Sequence, residues 1–351
     1  MTSEIKPLIS FITPSFNREK LVAETLESLL GQEDPRWENV IVDDGSTDKT
    51  AEIIQSYVQR DARFRFFRRD REPKGACICR NIGVERAHGR YVVFLDTDDL
   101  VAPHCAGQRV RTMEANPDLD FGVFQAMSFE HQPGDLGRWW NIDKVGADEL
   151  GRQFRQDALC QGTGPAFKKE SFVKVGLWDE TLTLWQDIDL FFRLYIQRYR
   201  YRKFFQLPAD VHIREYPHSL SRSDFFARHK LESRFRVVQR AVQLLVQTGQ
   251  HGRAREARYM AYEIISGSAR SNNHDLASQI VQWAGNNGVL NRTELTMAKR
   301  YCMASRTRLT RFRLVAKWFQ HRMRSCEVTE PRTMGRVPST QPPVADLVAQ
   351  K

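Results

Sequence analysis

Residues 91 to 99 read Tyr-Val-Val-Phe-Leu-Asp-Thr-Asp-Asp. A short apolar run rich in β-branched and aromatic side chains suits a buried strand. It ends abruptly in Asp96, Asp98 and Asp99, which must then crowd together at the strand's C-terminal end. Like charges that close raise one another's pKa unless something positive sits among them. A hard divalent cation with oxygen ligands answers that need, and it brings substrate phosphates with it. The carboxyl end of a sheet strand is also where open α/β folds place their ligands. A solvated acidic turn is the bland alternative, and the triplet alone does not separate the two.

The preceding chain narrows the choice. Residues 8 to 16, Leu-Ile-Ser-Phe-Ile-Thr-Pro-Ser-Phe, form another strand-like run, which should stop at Pro14 because proline has no N–H for a sheet ladder. Leu21, Thr25, Leu26, Leu29 and Leu30 then mark one stripe of a helix, with Gly31 as its stop. Val40-Ile41-Val42 runs into Asp43-Asp44-Gly45-Ser46-Thr47-Asp48, a second strand ending in acid, with Asp44-Gly45 as a turn signal. Thr47 or Asp48 can cap the following helix, which carries Ile53, Ile54 and Val58. Strand, helix, strand, helix at this spacing predicts βαβ units and a mostly parallel sheet.

Four ordered segments now stand together: Thr13-Pro-Ser-Phe-Asn17-Arg18; Val42 to Asp48; Gly75 through Arg80-Asn81-Ile82-Gly83; and Gly89 to Asp99. In combination they resemble the family 2 glycosyltransferases. The resemblance implies an α/β fold of the GT-A type, a Rossmann-like, mostly parallel mixed sheet flanked by helices that binds a nucleotide-diphospho-sugar. It places Pro14, Asn17, Asp43, Arg80 and Asp96 at the nucleotide sugar. Asp43 would meet the base, usually uracil, and Asp96 the ribose or sugar. The plain role for Asp43 is a turn or helix cap. Asp98, with Asp99 as a second candidate, would hold a divalent cation, Mn2+ or Mg2+, that screens the diphosphate. Arg80 can equally be a surface residue on a helix packed by Ile82 and Val84, and Gly83 can simply permit close helix–sheet packing.

The acceptor half falls in residues 160 to 222. Gly162-Thr-Gly-Pro165 signals a loop, and a helical patch follows around Phe172 and Val175. The family commonly carries Glu-Asp before an amphipathic helix, the Asp acting as general base. This chain has Gln186-Asp187, so the Glu is replaced and Asp187 is the implied base for an acceptor hydroxyl. A general base must lie within hydrogen-bond reach of the proton it takes. A helix cap is the alternative for Asp187, and Asp189 is the fallback, better suited to stabilising the first helical turn. Trp178 and Trp185 can stack on a sugar, although buried aromatics are the commoner explanation. In the stretch His212 to Ser221, the resemblance brings His218 near the diphosphate or the metal.

Composition bounds the rest. At 351 residues the chain exceeds one typical domain; its start lacks the pattern of a signal sequence, and no stretch of the sequence is an apolar run long enough to span a membrane. Six scattered cysteines lack metal spacing and read as reduced thiols, which predicts a cytoplasmic protein. The net charge of +10 concentrates between Lys299 and Arg324, which has no Asp or Glu and interleaves Leu309, Phe312, Leu314, Val315, Trp318 and Phe319. Such a segment can lie on an anionic membrane surface, or simply pack its apolar stripe on the catalytic part. Nucleic acid is not an expected partner. The organisation expected is a GT-A domain over 1–222, a basic helical region over 223–326, and a disordered Pro-rich tail over 327–351.

The expected function is transfer of a sugar, with inversion, from a UDP-sugar or related donor to a hydroxyl of a glycan or lipid-linked acceptor in cell-surface polysaccharide synthesis. The rival class is a catalytically silent adaptor that docks through its basic helices, and the Gln186 departure is what favours it.

Overall fold

The computed structural model of the protein describes residues 6–140, 142–144, 146–215 and 224–307. The chain opens as β1 (Ile9–Ser15), α1 (Val22–Leu30), β2 (Trp37–Asp43), α2 (Thr50–Arg60), β3 (Phe64–Arg68), α3 (Ala76–Arg86) and β4 (Tyr91–Phe94). It continues with β5 (Leu100–Val101), α4 (Cys105–Glu114), β6 (Phe121–Phe124), β7 (Ala126–Phe129), β8 (Arg138–Trp139), α5 (Glu149–Phe154) and β9 (Pro165–Lys168). Then come α6 (Lys169–Lys174), α7 (Gln186–Ile196), β10 (Tyr201–Phe204) and β11 (Val211–Arg214). Helices close it: α8 (Arg228–Gln247), a 3-10 turn (His251–Ala257), α9 (Arg258–Arg270), α10 (His274–Asn286) and α11 (Arg292–Arg306).

The main sheet has the order β10-β6-β9-β4-β1-β2-β3. All its pairings are parallel except those of β9, which runs antiparallel to both β4 and β6. Both faces are covered, so apolar side chains of its central strands point to both sides, and polar ones such as Ser10 and Asn39 are buried with hydrogen-bond partners. Ile9, Phe11, Ile41, Tyr91 and Val93 pack toward one face. Ile12, Val40, Val42, Val92 and Phe94 pack toward the other. This is the pattern expected of parallel strands buried on both sides.

Strand β1 runs one residue past Pro14, contrary to the sequence expectation. Ile12 O accepts Leu95 N–H and Ser15 O accepts Asp44 N–H, so alternate residues serve β4 and β2. Pro14 falls on the β4 side, and β4 has already ended opposite Ile12. Its missing donor therefore removes no ladder bond.

A second sheet, β5-β11-β7-β8, sits beside the first and carries His212 and Arg214 on β11. The C-terminal helices are not set apart from the sheet. One apolar cluster joins Ile12, Val40 and Phe94 to Leu231, Val238, Ile264, Ile280 and Tyr301. The breaks expected at Gly249–Gly252 and Ser271–His274 fall between helices, and Gly249 adopts a left-handed φ of +73°. Of the basic segment 299–324, residues up to 307 are described and belong largely to α11. The remainder, the tail and His218 lie outside the described residues.

Candidate active site

Strands β1, β2 and β4 are parallel neighbours, so Ser15, Asp43 and Asp96 all emerge at one edge of the sheet. The loops there are tied to each other. Asn17, in a left-handed conformation (φ +50°), donates its N–H to Ser46 Oγ at 3.0 Å and accepts Thr47 N–H on Oδ1 at 2.9 Å. Arg18 N–H donates to Thr50 Oγ1 at 2.7 Å. Asp43 organises its own turn: Oδ2 accepts the N–H groups of Gly45 and Ser46 at 3.1 and 2.9 Å, and Oδ1 accepts the Ser46 hydroxyl at 2.5 Å. Gly45, at φ +86°, supplies the left-handed residue that this turn needs. Asp44 pairs with Arg69 at 2.6 Å.

The acid triplet divides into unlike members. Asp96 is half-exposed, and its Oδ1 accepts Arg80 Nη2–H at 2.6 Å. Arg80 reaches it from α3, with its guanidinium 5.0 Å over the Trp178 ring. Burial opposes the charge on Arg80, but Asp96, joined by Cys77 and Asp187, more than offsets it and holds the guanidinium pKa above its ordinary value. Arg80 is therefore not the surface residue that a helix position allowed.

Asp99 is buried and engaged: its Oδ1 accepts Arg214 N–H at 3.1 Å, and its Oδ2 accepts the Thr163 hydroxyl at 3.3 Å. Burial and the charges of Asp98 and Asp96 push its carboxyl well above the usual range. Asp98 lies between them. Burial, then Asp96, drives its carboxyl up to about 6 against the pull of Arg18 and Arg214. This is the mutual repulsion that the sequence implied, and a cation would relieve it.

Opposite the triplet, the loop after α6 turns back through Gly176 and Leu177, both at positive φ, into Trp178. Asn81 of α3 holds that turn from both sides, accepting Trp178 N–H at 3.0 Å and donating to Trp178 O at 2.9 Å. Two residues on in α3, Gly83 is pressed against β1: an added Cβ would stand 2.3 Å from Ile12 Cγ2.

The cap position of α7 is taken by Trp185, at φ +65° and ψ +30°, and not by Asp187. Asp187 lies in the first turn, its Oδ1 accepting Ile188 N–H at 2.9 Å. A cavity of about 400 Å³ is lined by Asp187, Gln186, Trp185 and Trp178 together with Arg80 and Asp96. Asp189 is directed elsewhere. It is buried, 2.9 Å from Arg193 Nε and 3.1 Å from Arg240 Nη1.

The structure thus gathers Arg80, Asp96 and Asp187 into one cavity, with Asp98 and Asp99 beside it. Pro14 and Asp43 lie at the ends of β1 and β2 on the same sheet edge, with Asn17 in the loop after β1. Sequence reasoning passed over Arg214, which donates to Asp98 O at 3.1 Å and pairs with Glu24 at 2.5 Å, and Thr163, which bonds Asp99. It also passed over Ser233, whose hydroxyl accepts the N–H groups of Thr183 and Leu184 at 3.1 Å each. Among the described residues no helix is long and apolar enough to cross a membrane. The described cysteines, Cys77, Cys79, Cys105, Cys160 and Cys302, are buried and free.

Comparison with known proteins agrees with this geometry. The family model described as Glycosyl transferase family 2 matches residues 10–176. An uncharacterized glycosyltransferase of Methanocaldococcus jannaschii is 30% identical over 198 residues, covering 56% of this chain and 67% of the relative. TuaG of Bacillus subtilis, named as a teichuronic acid biosynthesis glycosyltransferase, is 49% identical over 94 residues, which is 27% of this chain and only 37% of TuaG. In three dimensions, S. aureus TarS (1-349, in complex with UDP-GlcNAc) superposes with a TM-score of 0.56 at 15% identity, covering 85% of this chain and 87% of that one. That likeness establishes the GT-A fold. With the sheet, the acid triplet and the matched segment in agreement, this chain belongs to glycosyltransferase family 2.

Proposed function

We propose that this protein is an inverting, metal-dependent glycosyltransferase that moves a sugar from a UDP-sugar to a hydroxyl of a glycan or lipid-linked acceptor in cell-surface polysaccharide synthesis. The observation that carries the proposal is the single cavity lined by Asp96, Arg80 and Asp187 at the carboxyl edge of the parallel sheet. Asp96 is tied to Arg80, while Asp187 keeps company with Trp178 and Trp185, which suits a base facing an acceptor sugar. One base suffices for a single in-line displacement, which inverts the anomeric centre without a covalent intermediate.

The donor set fits a hard cation. Among the described residues no group of three or more His, Cys, Asp or Glu side chains is arranged to hold a metal. Asp98, with Asp99 as the second candidate, would supply one or two carboxylates and leave the remaining positions to the diphosphate, as is usual for Mg2+. When bound, the cation offsets the charge that builds on the departing diphosphate. Support for uridine comes from the resemblance at Asp43 and from TarS, a protein of the same fold bound to UDP-GlcNAc. Support for a surface polymer comes from the name of TuaG. Attachment to the cytoplasmic membrane face rests on the basic, aromatic segment 299–324.

The test is calorimetric titration of the protein with UDP, GDP, TDP and CDP, each with and without Mn2+. Tight, metal-dependent binding of one nucleotide supports the reading. Failure of all four overturns it.

A further inference from the structure

The helices after residue 223 do more than share a core with the sheet. Helix α8 presents one face to the loop that leads into Asp187. Ser233 on that face is buried and uses its hydroxyl to capacity. It accepts the N–H groups of Thr183 and Leu184 and donates to Leu184 O at 2.9 Å. One turn further along α8, Arg236 donates to Thr181 Oγ1 at 2.8 Å. Arg240 then pairs with Asp179 at 2.5 Å and Asp189 at 3.1 Å. Positions 233, 236 and 240 fall on one face because residues three and four apart share a helix side. Together they hold the loop at both ends of residues 179–189.

Arg234 touches the same loop differently. It is fully buried and makes no ion pair among the described residues, although Glu263 is near enough to favour its charge. Its guanidinium lies 4.0 Å from the Phe225 ring centre, 5.5 Å from Trp185 and 5.8 Å from Phe226. It donates to Phe225 O at 3.1 Å, while Nε and Nη1 have no partner. Burial lowers its pKa to about 10. A buried charge of this kind is costly, and apolar residues of similar volume are often more stable in its place. What a flat guanidinium offers, and a leucine or methionine does not, is a rigid surface stacked on aromatic rings.

One of the three rings around it belongs to the one residue of this loop under backbone strain at the entrance to α7. Left-handed geometry is unfavourable for any side chain with a Cβ, and a bulky one keeps it only where its surroundings enforce it. Trp185 adopts that geometry, caps α7 and stands two residues before Asp187. We propose that Ser233 and Arg234 are positioning residues. They hold Trp185 in its left-handed turn and thereby aim Asp187 into the cavity, so that the C-terminal helical region is a working part of the active site. The proposal rests on the reading of Asp187 as the base.

The experiment uses the full chain and follows UDP release from UDP-N-acetylglucosamine and UDP-glucose, alongside UDP–Mn2+ affinity and thermal melting. Small misplacements of a catalytic group cost turnover steeply, by up to about a hundredfold. Ser233→Ala is therefore expected to lower kcat about tenfold or more, leave donor KM and UDP affinity within about twofold, and be largely rescued by Ser233→Thr. Arg234→Met should melt no lower than the wild type yet lose turnover to a similar extent, and Arg234→Lys should not restore it. A merely structural role would lower melting temperature and the number of UDP sites instead. Unchanged kcat in both Ser233→Ala and Arg234→Met overturns the proposal, provided Asp187→Asn is inactive. An active Asp187→Asn overturns the base reading and this proposal with it.

Discussion

Arg80 and Asp96 form a 2.6 Å ion pair that crosses from helix α3 to the end of strand β4. The same guanidinium lies against Trp178, whose backbone is clamped by Asn81 of the same helix. The pair thus links the strand that ends in acid to the loop that leads toward Asp187. Replacing Arg80 by Met frees Asp96 and removes a charge-assisted bond of the kind worth about 1.5–3 kcal/mol. We expect donor affinity to fall about tenfold to a hundredfold in calorimetry, with little change in the far-UV spectrum. Unchanged affinity would separate this pair from the donor site.

Asp187 and Asp189 are two residues apart and should behave as opposites. Asp187→Asn removes the proposed base and is expected to cut turnover by about 10²–10⁴ while nucleotide binding persists. Asp189→Asn strips the buried Arg193 of its carboxylate, and the partly exposed Arg240 of one of its two, and should cost about 3–5 kcal/mol of stability, mostly through Arg193, read as a lower denaturation midpoint. Stable but inactive Asp189→Asn protein would reverse the assignment.

The sheet was legible in the sequence because its information is local. Largely apolar runs at 8–16, 40–42 and 91–95 mark strands buried on both faces, and each ends where acids or turn residues begin. The acid triplet and the Gln186-Asp187 pair were legible for the same reason. Contacts made at long range leave no such trace. Arg214 meets Asp98 across 116 residues, and Ser233 meets Leu184 across 49, with no period or spacing to announce either. The Pro14 expectation failed for a related reason. The rule against proline in a ladder assumes a neighbour on both sides, and β4 stops two residues too early to be one.

Within the acid triplet, Asp98 and Asp99 should also part company. Asp98→Ala is expected to abolish the Mn2+ dependence of nucleotide binding with little loss of stability, since removing it relieves repulsion from Asp96. Asp99→Ala instead leaves the Thr163 hydroxyl without its acceptor and frees the Arg214 N–H, a change expected to cost about 1–3 kcal/mol. Paired calorimetric and urea titrations distinguish the two. Retained metal dependence in Asp98→Ala would move the cation elsewhere.

His212 gives the clearest pH signature. It is buried on β11, and desolvation, reinforced by His104 and opposed by Asp210, lowers its pKa from 6.5 to about 4. Below pH 6.5 the unfolded chain gains a proton here that the folded chain refuses, so this residue's contribution to stability falls as pH drops toward 4. The full loss is up to about 3 kcal/mol, and about 2 kcal/mol of it should appear between pH 7 and pH 5. Asp98 acts with the opposite sign, because its raised pKa makes its contribution decline as pH climbs through the range 3.8 to about 6. The wild-type curve is therefore a sum, and the diagnostic quantity is a difference between proteins. His212→Leu, compared with wild type by urea denaturation at pH 7 and pH 5, should lose about 2 kcal/mol less on acidification. Equal losses in the two proteins would show that His212 titrates normally in the fold.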